Sequence, residues 1–207
     1  MSLEIAGRPV ISIPMAEKTN VRERLLAAAL ETLHKNGFNA TGVQDITEAA
    51  MVPKGSFYNH FESKDALGVE VVEQYAAKGA ERRQTLIAGA GAPLARLKAY
   101  FKSLNQLGPA SGFSRGCLIG NFSAELSSQS PDITGAVADA LAHWTKDIAQ
   151  VVAEAQQAGE VGRDIPAATL AAFLLNAWEG AVLRTRVDRS AAPLDAFMKV
   201  AFNKILT

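Results

Sequence analysis

The stretch Thr41-Gly42-Val43-Gln44-Asp45-Ile46-Thr47-Glu48-Ala49-Ala50-Met51-Val52-Pro53-Lys54-Gly55-Ser56-Phe57-Tyr58-Asn59-His60-Phe61-Glu62-Ser63-Lys64 decides how this chain is read. Thr41 followed three residues later by Gln44 fits a capping box, which opens a short helix burying Val43, Ile46, Ala49 and Ala50. That helix ends near Met51. Pro53 has no amide hydrogen and suits a first helical turn, so a second short helix begins after only a few residues. A helix, a tight turn and a short second helix whose N-terminal end carries polar groups is the geometry of a helix-turn-helix.

Working outward, the N-terminal flank predicts a helix capped by Thr19 or Asn20, burying Val21, Leu25, Ala28, Ala29 and Leu33, and stopped at Asn36-Gly37. On the other side Ser63 caps a longer helix that runs toward Gly89 through Leu67, Val71, Val72 and Tyr75. Gly89-Ala90-Gly91-Ala92-Pro93 is the clearest linker within the body. Pro131, Pro166 and Pro193 each precede an apolar pattern of helical period, with Trp144 in the first stripe, Trp178 in the second and Phe197 in the third. No segment keeps period-2 alternation, so the fold class is all-α: an N-terminal three-helix helix-turn-helix domain and a C-terminal helical bundle.

Composition sets the limits on function. The chain has 207 residues, which fits one large domain or two small ones. Lys plus Arg and Asp plus Glu are both 21, so overall charge points to no polyanionic partner and any nucleic-acid contact must rest on local placement. No run of about 18 apolar residues occurs, which excludes a membrane span. A single cysteine, Cys117, fits a reducing, cytoplasmic setting. Pro9 and Pro14 break up Val10, Ile11 and Ile13, so residues 1–18 are expected to form a flexible arm rather than a secretory core, with Met15 an alternative to Met1 as the start. Residues 19–66 are then expected to form one unit carrying the helix-turn-helix, and 67–207 a second, the helical body.

Lys54, Ser56, Tyr58, His60 and Lys64 supply the cations, hydroxyls and ring nitrogens that grip phosphates and base edges, while Phe57 and Phe61, four apart, anchor the opposite face. Gly55 allows close backbone approach. The same pattern also serves as a plain packing unit, with Tyr58 and His60 covering a small core. The run from Val52 to Leu67 resembles the signature of the tetracycline-repressor family of bacterial transcription regulators, and the helix ending in Asn36-Gly37-Phe38 matches as well. By position, the resemblance implies Gln44, Lys54, Gly55 and Ser56 near bases, and Tyr58, His60 and Lys64 on phosphates. Asn59 stands where that family often has an aromatic. Arg115-Gly116-Cys117-Leu118-Ile119-Gly120-Asn121 and Trp178-Glu179-Gly180-Ala181-Val182-Leu183-Arg184 resemble the branch of N-ethylmaleimide-responsive and acrylate-utilisation repressors. That branch implies release from a palindromic operator by a small molecule or a reactive electrophile.

In the body, Cys117 follows Gly116 at a helix start and lies two residues from Arg115, two features that lower a thiol's pKa. The alternative reading is a small buried hydrophobe beside Leu118 and Ile119. Trp144, Trp178 and Glu179 fit a pocket between helices, or plain core in the case of the tryptophans. Glu179, if buried, needs a partner, for which Arg184 and Arg186 are candidates. Small residues along the last helices, Ala177, Ala181 and Ala201 with Phe173 and Phe197, predict a homodimer interface. No nucleophile elbow, phosphate loop or metal-spaced His pair is present, so neither enzyme chemistry, metal nor cofactor is expected. The remote alternative is a thiol-dependent enzyme using Cys117 with His34, His60 or His143 as base.

Overall fold

The computed structural model describes residues 20–207; the expected arm of residues 1–18, the alternative start at Met15 and the cap candidate Thr19 lie outside them. The elements in order are α1 (Val21–Asn36), α2 (Val43–Ala49), a 3-10 turn (Lys54–Asn59), α3 (Lys64–Ile87), α4 (Pro93–Asn105), α5 (Leu107–Ala110), α6 (Leu118–Leu126), α7 (Pro131–Gln157), α8 (Ala167–Asp188) and α9 (Ala192–Val200), closed by a π turn (Ala201–Ile205). Among the described residues none is in a strand, as the absence of period-2 alternation predicts. None of their helices is long and apolar enough to cross a membrane.

Local chemistry sets the ends of these helices. Asn20 caps α1, its side chain accepting from Arg22 N at 3.1 Å, and Gly37 ends it at φ +89, where a side chain would be strained. Ser63 caps α3 by accepting from Ala66 N. The predicted box of Thr41 and Gln44 is not formed. Gly42 is the cap residue of α2 and Asp45 reaches back to its N–H at 2.7 Å, while the buried Thr41 hydroxyl donates to Gly37 O. The turn into the 3-10 segment passes through Met51 at φ 54, a left-handed conformation that costs about 1–2 kcal/mol in a residue with a side chain. Arg24 braces it from α1, its guanidinium donating to Ala50 O and Met51 O.

Leu25, Leu33, Ile46, Phe57 and Leu67 are wholly buried and join α1, α2, the 3-10 turn and the start of α3 into one small core. Each such side chain contributes about 1.5–3 kcal/mol of burial. The 24-residue α3 runs without a break from this unit into the body, so no structural break falls at residues 66–67. There it packs against α4 and α7, and α7 packs in turn against α8. Phe101 of α4 ties in the chain's end, with its ring 5.1 Å from Phe197 and 6.1 Å from Phe202.

Gly68 marks the tightest crossing. A Cβ there would stand 2.7 Å from Ile133 Cδ1 and 2.8 Å from the Phe38 ring. Gly68→Ala is therefore expected to cost about 1–3 kcal/mol by overpacking, read as a lower midpoint in urea with an unchanged slope.

Candidate DNA-reading surface and effector cavity

The 3-10 turn separates an inner from an outer face. Phe57 and Phe61 point inward, buried with ring centroids 5.7 Å apart. Lys54, Gly55, Tyr58 and Asn59 are exposed, while Ser56 and His60 are half-buried. Tyr58 is 61% exposed, so it does not cover the core. Gly55 is demanded by nothing inside the molecule, since a Cβ there would meet no atom within 4 Å and its φ is not positive. Gln44 is exposed on α2, its amide held by Glu48 at 2.9 Å.

Lys64 departs from the reading given to it. Its ammonium donates to Phe38 O and Thr41 O, both at 3.0 Å, and lies 4.2 Å from the Phe38 ring centroid. Half-buried in this way, it fastens the α1–α2 loop to α3 instead of standing free for a phosphate.

In the body, α3, α4, α7 and α8 surround a cavity of about 730 Å³, within the range of small-molecule sites. Trp144 and Trp178 both line it, 5.5 Å apart and tilted by 59°. Cys117 and Arg115 also line it, whereas Glu179 is not among its lining residues. His143 is also absent from the lining, its Nδ1 lying 2.7 Å from Asp139 O on its own helix. The sequence reading missed His34, Tyr75, Arg83 and Tyr100, which complete the walls. Tyr75 and Arg83 sit in an apolar-to-polar register of α3 that reads as ordinary core and surface. Only the crossing of α3 over α7 brings Arg83 Nε to Asp147 at 2.7 Å. The Trp178 indole donates to Asn105 Oδ1 at 2.9 Å.

The loop before α6 is held tightly against this cavity. Gly116, at φ +70, lets Arg186 pass where a Cβ would be 2.8 Å from it. Asn121 links the two, donating to Arg115 O and accepting from Arg186. His34 Nε2 lies 3.0 Å from Gly116 O, so that nitrogen carries the proton, and burial holds the ring's pKa below the ordinary 6.5. Arg115 pairs with Glu31 at 2.7 Å, away from the thiol.

Cys117 therefore lacks the activation that its neighbours in sequence suggested. Burial, and then the adjacent Glu179 carboxyl, push its pKa well above the usual thiol range. Tyr75 donates to the sulfur across 3.8 Å. Neither candidate arginine is the partner of Glu179: Arg184 pairs with Asp188 and Arg186 with Asn121. Its carboxyl instead lies on the Cys117 thiol and over Gly120, where a Cβ would be 2.3 Å from an oxygen. Its Oε1 is buried without a hydrogen-bond partner among the described residues.

Burial raises the Glu179 pKa from 4.5 to about 7. Between those values the folded chain keeps a proton that the unfolded chain has released. This group therefore costs no stability in acid and progressively more as pH rises from 4.5 through 7. Glu179→Gln, uncharged throughout, is expected to match the wild type in acid and to exceed it above neutrality by about 1–3 kcal/mol. Urea unfolding of both proteins at an acidic and a mildly alkaline pH measures the difference.

Comparison with known proteins agrees with this arrangement. Residues 25–71 match the family model described as bacterial regulatory proteins, tetR family, and residues 93–201 match the tetracyclin repressor-like C-terminal domain. The chain is 37% identical over 190 residues to the HTH-type transcriptional repressor DhaR of Mycobacterium sp. strain GP1, covering 91% of this chain and 94% of that one. It is 36% identical over 178 residues to the transcriptional regulator AcuR of Cereibacter sphaeroides, covering 86% and 81%. The crystal structure of the reduced form of E. coli NemR superposes with a TM-score of 0.80 at 28% identity, covering 90% of this chain and 97% of that one. With both family models matched in order, over the DNA-reading unit and over the helices that enclose the cavity, the chain belongs to the tetracycline-repressor family of DNA-binding transcriptional regulators.

Proposed function

We propose that the protein is a cytoplasmic, non-enzymatic repressor that grips a palindromic operator as a homodimer and is released when a small molecule occupies the cavity. The observation that carries the reading is the outer face of the 3-10 turn: Gly55 faces open space with no internal reason to be glycine, beside exposed Lys54 and Tyr58. A duplex approaching closely is what such a glycine accommodates. Gln44, Lys54, Gly55 and Ser56 then read bases, and Tyr58, Asn59 and His60 hold the backbone.

The dimer surface follows from what α8 and α9 leave uncovered. Phe173, Leu183, Val187 and Val200 are 48%, 56%, 76% and 51% exposed. Together with Ala177 and Ala181, Phe173 and Val200 flank a shallow apolar groove. Phe197 and Ala201 line the same groove but are buried within the protomer, so they shape this surface rather than cover a partner. Two copies joined here carry two recognition turns, and successive major grooves lie about 34–36 Å apart.

Occupying the cavity shifts the population between a DNA-binding and a released arrangement, by binding one of them more tightly. Two elements can transmit the shift, because α3 carries Tyr75 and Arg83 at the cavity and Lys64 at the α1–α2 loop, and α6 begins at Cys117. A covalent version of release needs a base. The Glu179 carboxylate would take the thiol proton while sulfur bonds to the β-carbon of an unsaturated carbonyl compound, and that proton then passes to the α-carbon.

In gel shifts with genomic fragments, the wild type is expected to retain inverted-repeat DNA. Lys54→Ala should lose about 1–3 kcal/mol at particular base pairs, and Phe173→Asp should sediment as a monomer and lose the shift. An absence of salt-dependent duplex binding by the wild type would refute the function. For the thiol, wild type and Cys117→Ser are treated with a quinone or acrylate. The wild type should gain one adduct and leave DNA, more rapidly as pH rises through 7, while the variant does neither. Equal release without gain of mass would make the effector non-covalent and Cys117 a structural residue.

A further inference from the structure

The charge lining the cavity departs sharply from that of the chain. Overall, 21 basic residues balance 21 acidic ones. Around the cavity stand Lys35, Lys78, Arg82, Arg83 and Arg115, against Glu31 alone among the described acids. Glu31 is already paired with Arg115. Lys35, Lys78 and Arg82 are exposed, whereas Arg83 is only 5% exposed.

Arg83 is also held in a receptive pose. Asp147 of α7 engages its Nε–H at 2.7 Å, and its guanidinium lies 5.6 Å from the Trp144 ring centroid. Gly79, one turn earlier, lets it fold back over α3, for a Cβ there would stand 3.3 Å from Nη1. The rest of the guanidinium faces the hydroxyl of Tyr100, which is 1% exposed. Five N–H groups in a planar fork exceed what one carboxylate can take, so an edge remains for a second. Beside it, the Trp144 indole N–H is directed at the same Tyr100 oxygen but makes no hydrogen bond of good geometry among the described residues, in a residue only 7% exposed. A buried donor in this state is stabilised when a better acceptor arrives. Burial also holds the Tyr100 phenol far above its ordinary pKa of 10, so it remains a protonated donor.

We propose that the cavity takes an organic acid whose carboxylate is bound by the Arg83 guanidinium, the Trp144 indole N–H and the Tyr100 hydroxyl. The proposal rests on the reading of this cavity as the effector site. The two tilted indoles form apolar walls for the body of the acid, and the exposed cations at the rim attract an anion toward the entrance.

Both tryptophans of the chain line the cavity, so their emission reports its occupation directly. The probes are trans-cinnamate and cinnamyl alcohol, which share a skeleton and differ in charge, titrated by tryptophan emission and by calorimetry. The full-length wild type is expected to bind cinnamate at least about tenfold more tightly than the alcohol. Arg83→Gln combined with Asp147→Asn, which leaves no unpaired charge, should abolish that preference while retaining the alcohol's affinity and the far-ultraviolet dichroism. Trp144→Phe should weaken cinnamate several-fold and leave the alcohol unaffected. If cinnamate and the alcohol bind the wild type equally, or the preference survives in the double variant, the anion site is refuted while the cavity stands as a ligand site. If neither probe changes emission or produces heat, the effector-cavity reading falls together with the proposal.

Discussion

The six residues between α1 and α2 are gripped from two sides, and the placement of the DNA-reading unit depends on that grip. Glu125, near the end of α6, accepts from Phe38 N at 3.0 Å and Asn39 N at 2.5 Å. Lys64, in the first turn of α3, donates to the carbonyls of Phe38 and Thr41. One carboxylate takes the amides and one ammonium takes the carbonyls, so backbone groups that a loop would leave to water are satisfied by two helices of the body. Charge-assisted hydrogen bonds are worth about 1.5–3 kcal/mol each. The α1–α2 unit is thus tied to α6 and α3 by directional bonds as well as by core packing.

That grip supplies a route by which an effector in the cavity would act on the DNA-reading turn. α6 has nine residues, about 13 Å at 1.5 Å per residue. Its first turn starts at Cys117 beside the cavity and its last turn carries Glu125. A rod this short transmits displacement of one end to the other with little bending, because close-packed helices move as units. His34 adds a second link, joining α1 directly to the carbonyl of Gly116. Residues 115–117 are therefore tied to both α6 and the end of α1.

The helix-turn-helix was legible because its signals are local: Asn20, Ser63, Pro53 and the Phe57–Phe61 spacing each act within a turn or two of chain. The family resemblance added the outward residues. Errors arose where a side chain is claimed by backbone far away in sequence. Lys64 read as a free cation because its two carbonyl partners lie 26 and 23 residues earlier. Thr41 and Gln44 had the right spacing for a box, but Asp45 reaches Gly42 with a shorter and stronger acceptor. Arg83 drew no reading from the sequence, because only α7 supplies the Asp147 that holds it. For Cys117 the sequence showed Arg115 and a helix start, both of which lower a thiol's pKa. It did not show that Arg115 turns out to Glu31, or that α8 brings Glu179 onto the sulfur.

The two ends of the cavity consequently have opposite electrostatics. At the Arg83 end a guanidinium held on its Nε side by Asp147 stands among neutral donors, a setting that favours an anion. At the Cys117 end a thiol and a carboxyl share a buried space in which neither ionises readily. Proton transfer within that pair never changes its total charge, and it yields a thiolate only when Glu179 is already ionised and takes the thiol proton. The pH at which Glu179 titrates therefore governs how much thiolate can form without adding a second buried negative charge. An acid anchored at the Arg83 end would lay its body along the tryptophans, in the cavity that Cys117 also lines. Recognition of charge and any reaction at the thiol are then separate steps, controlled by separate groups on the same cavity wall.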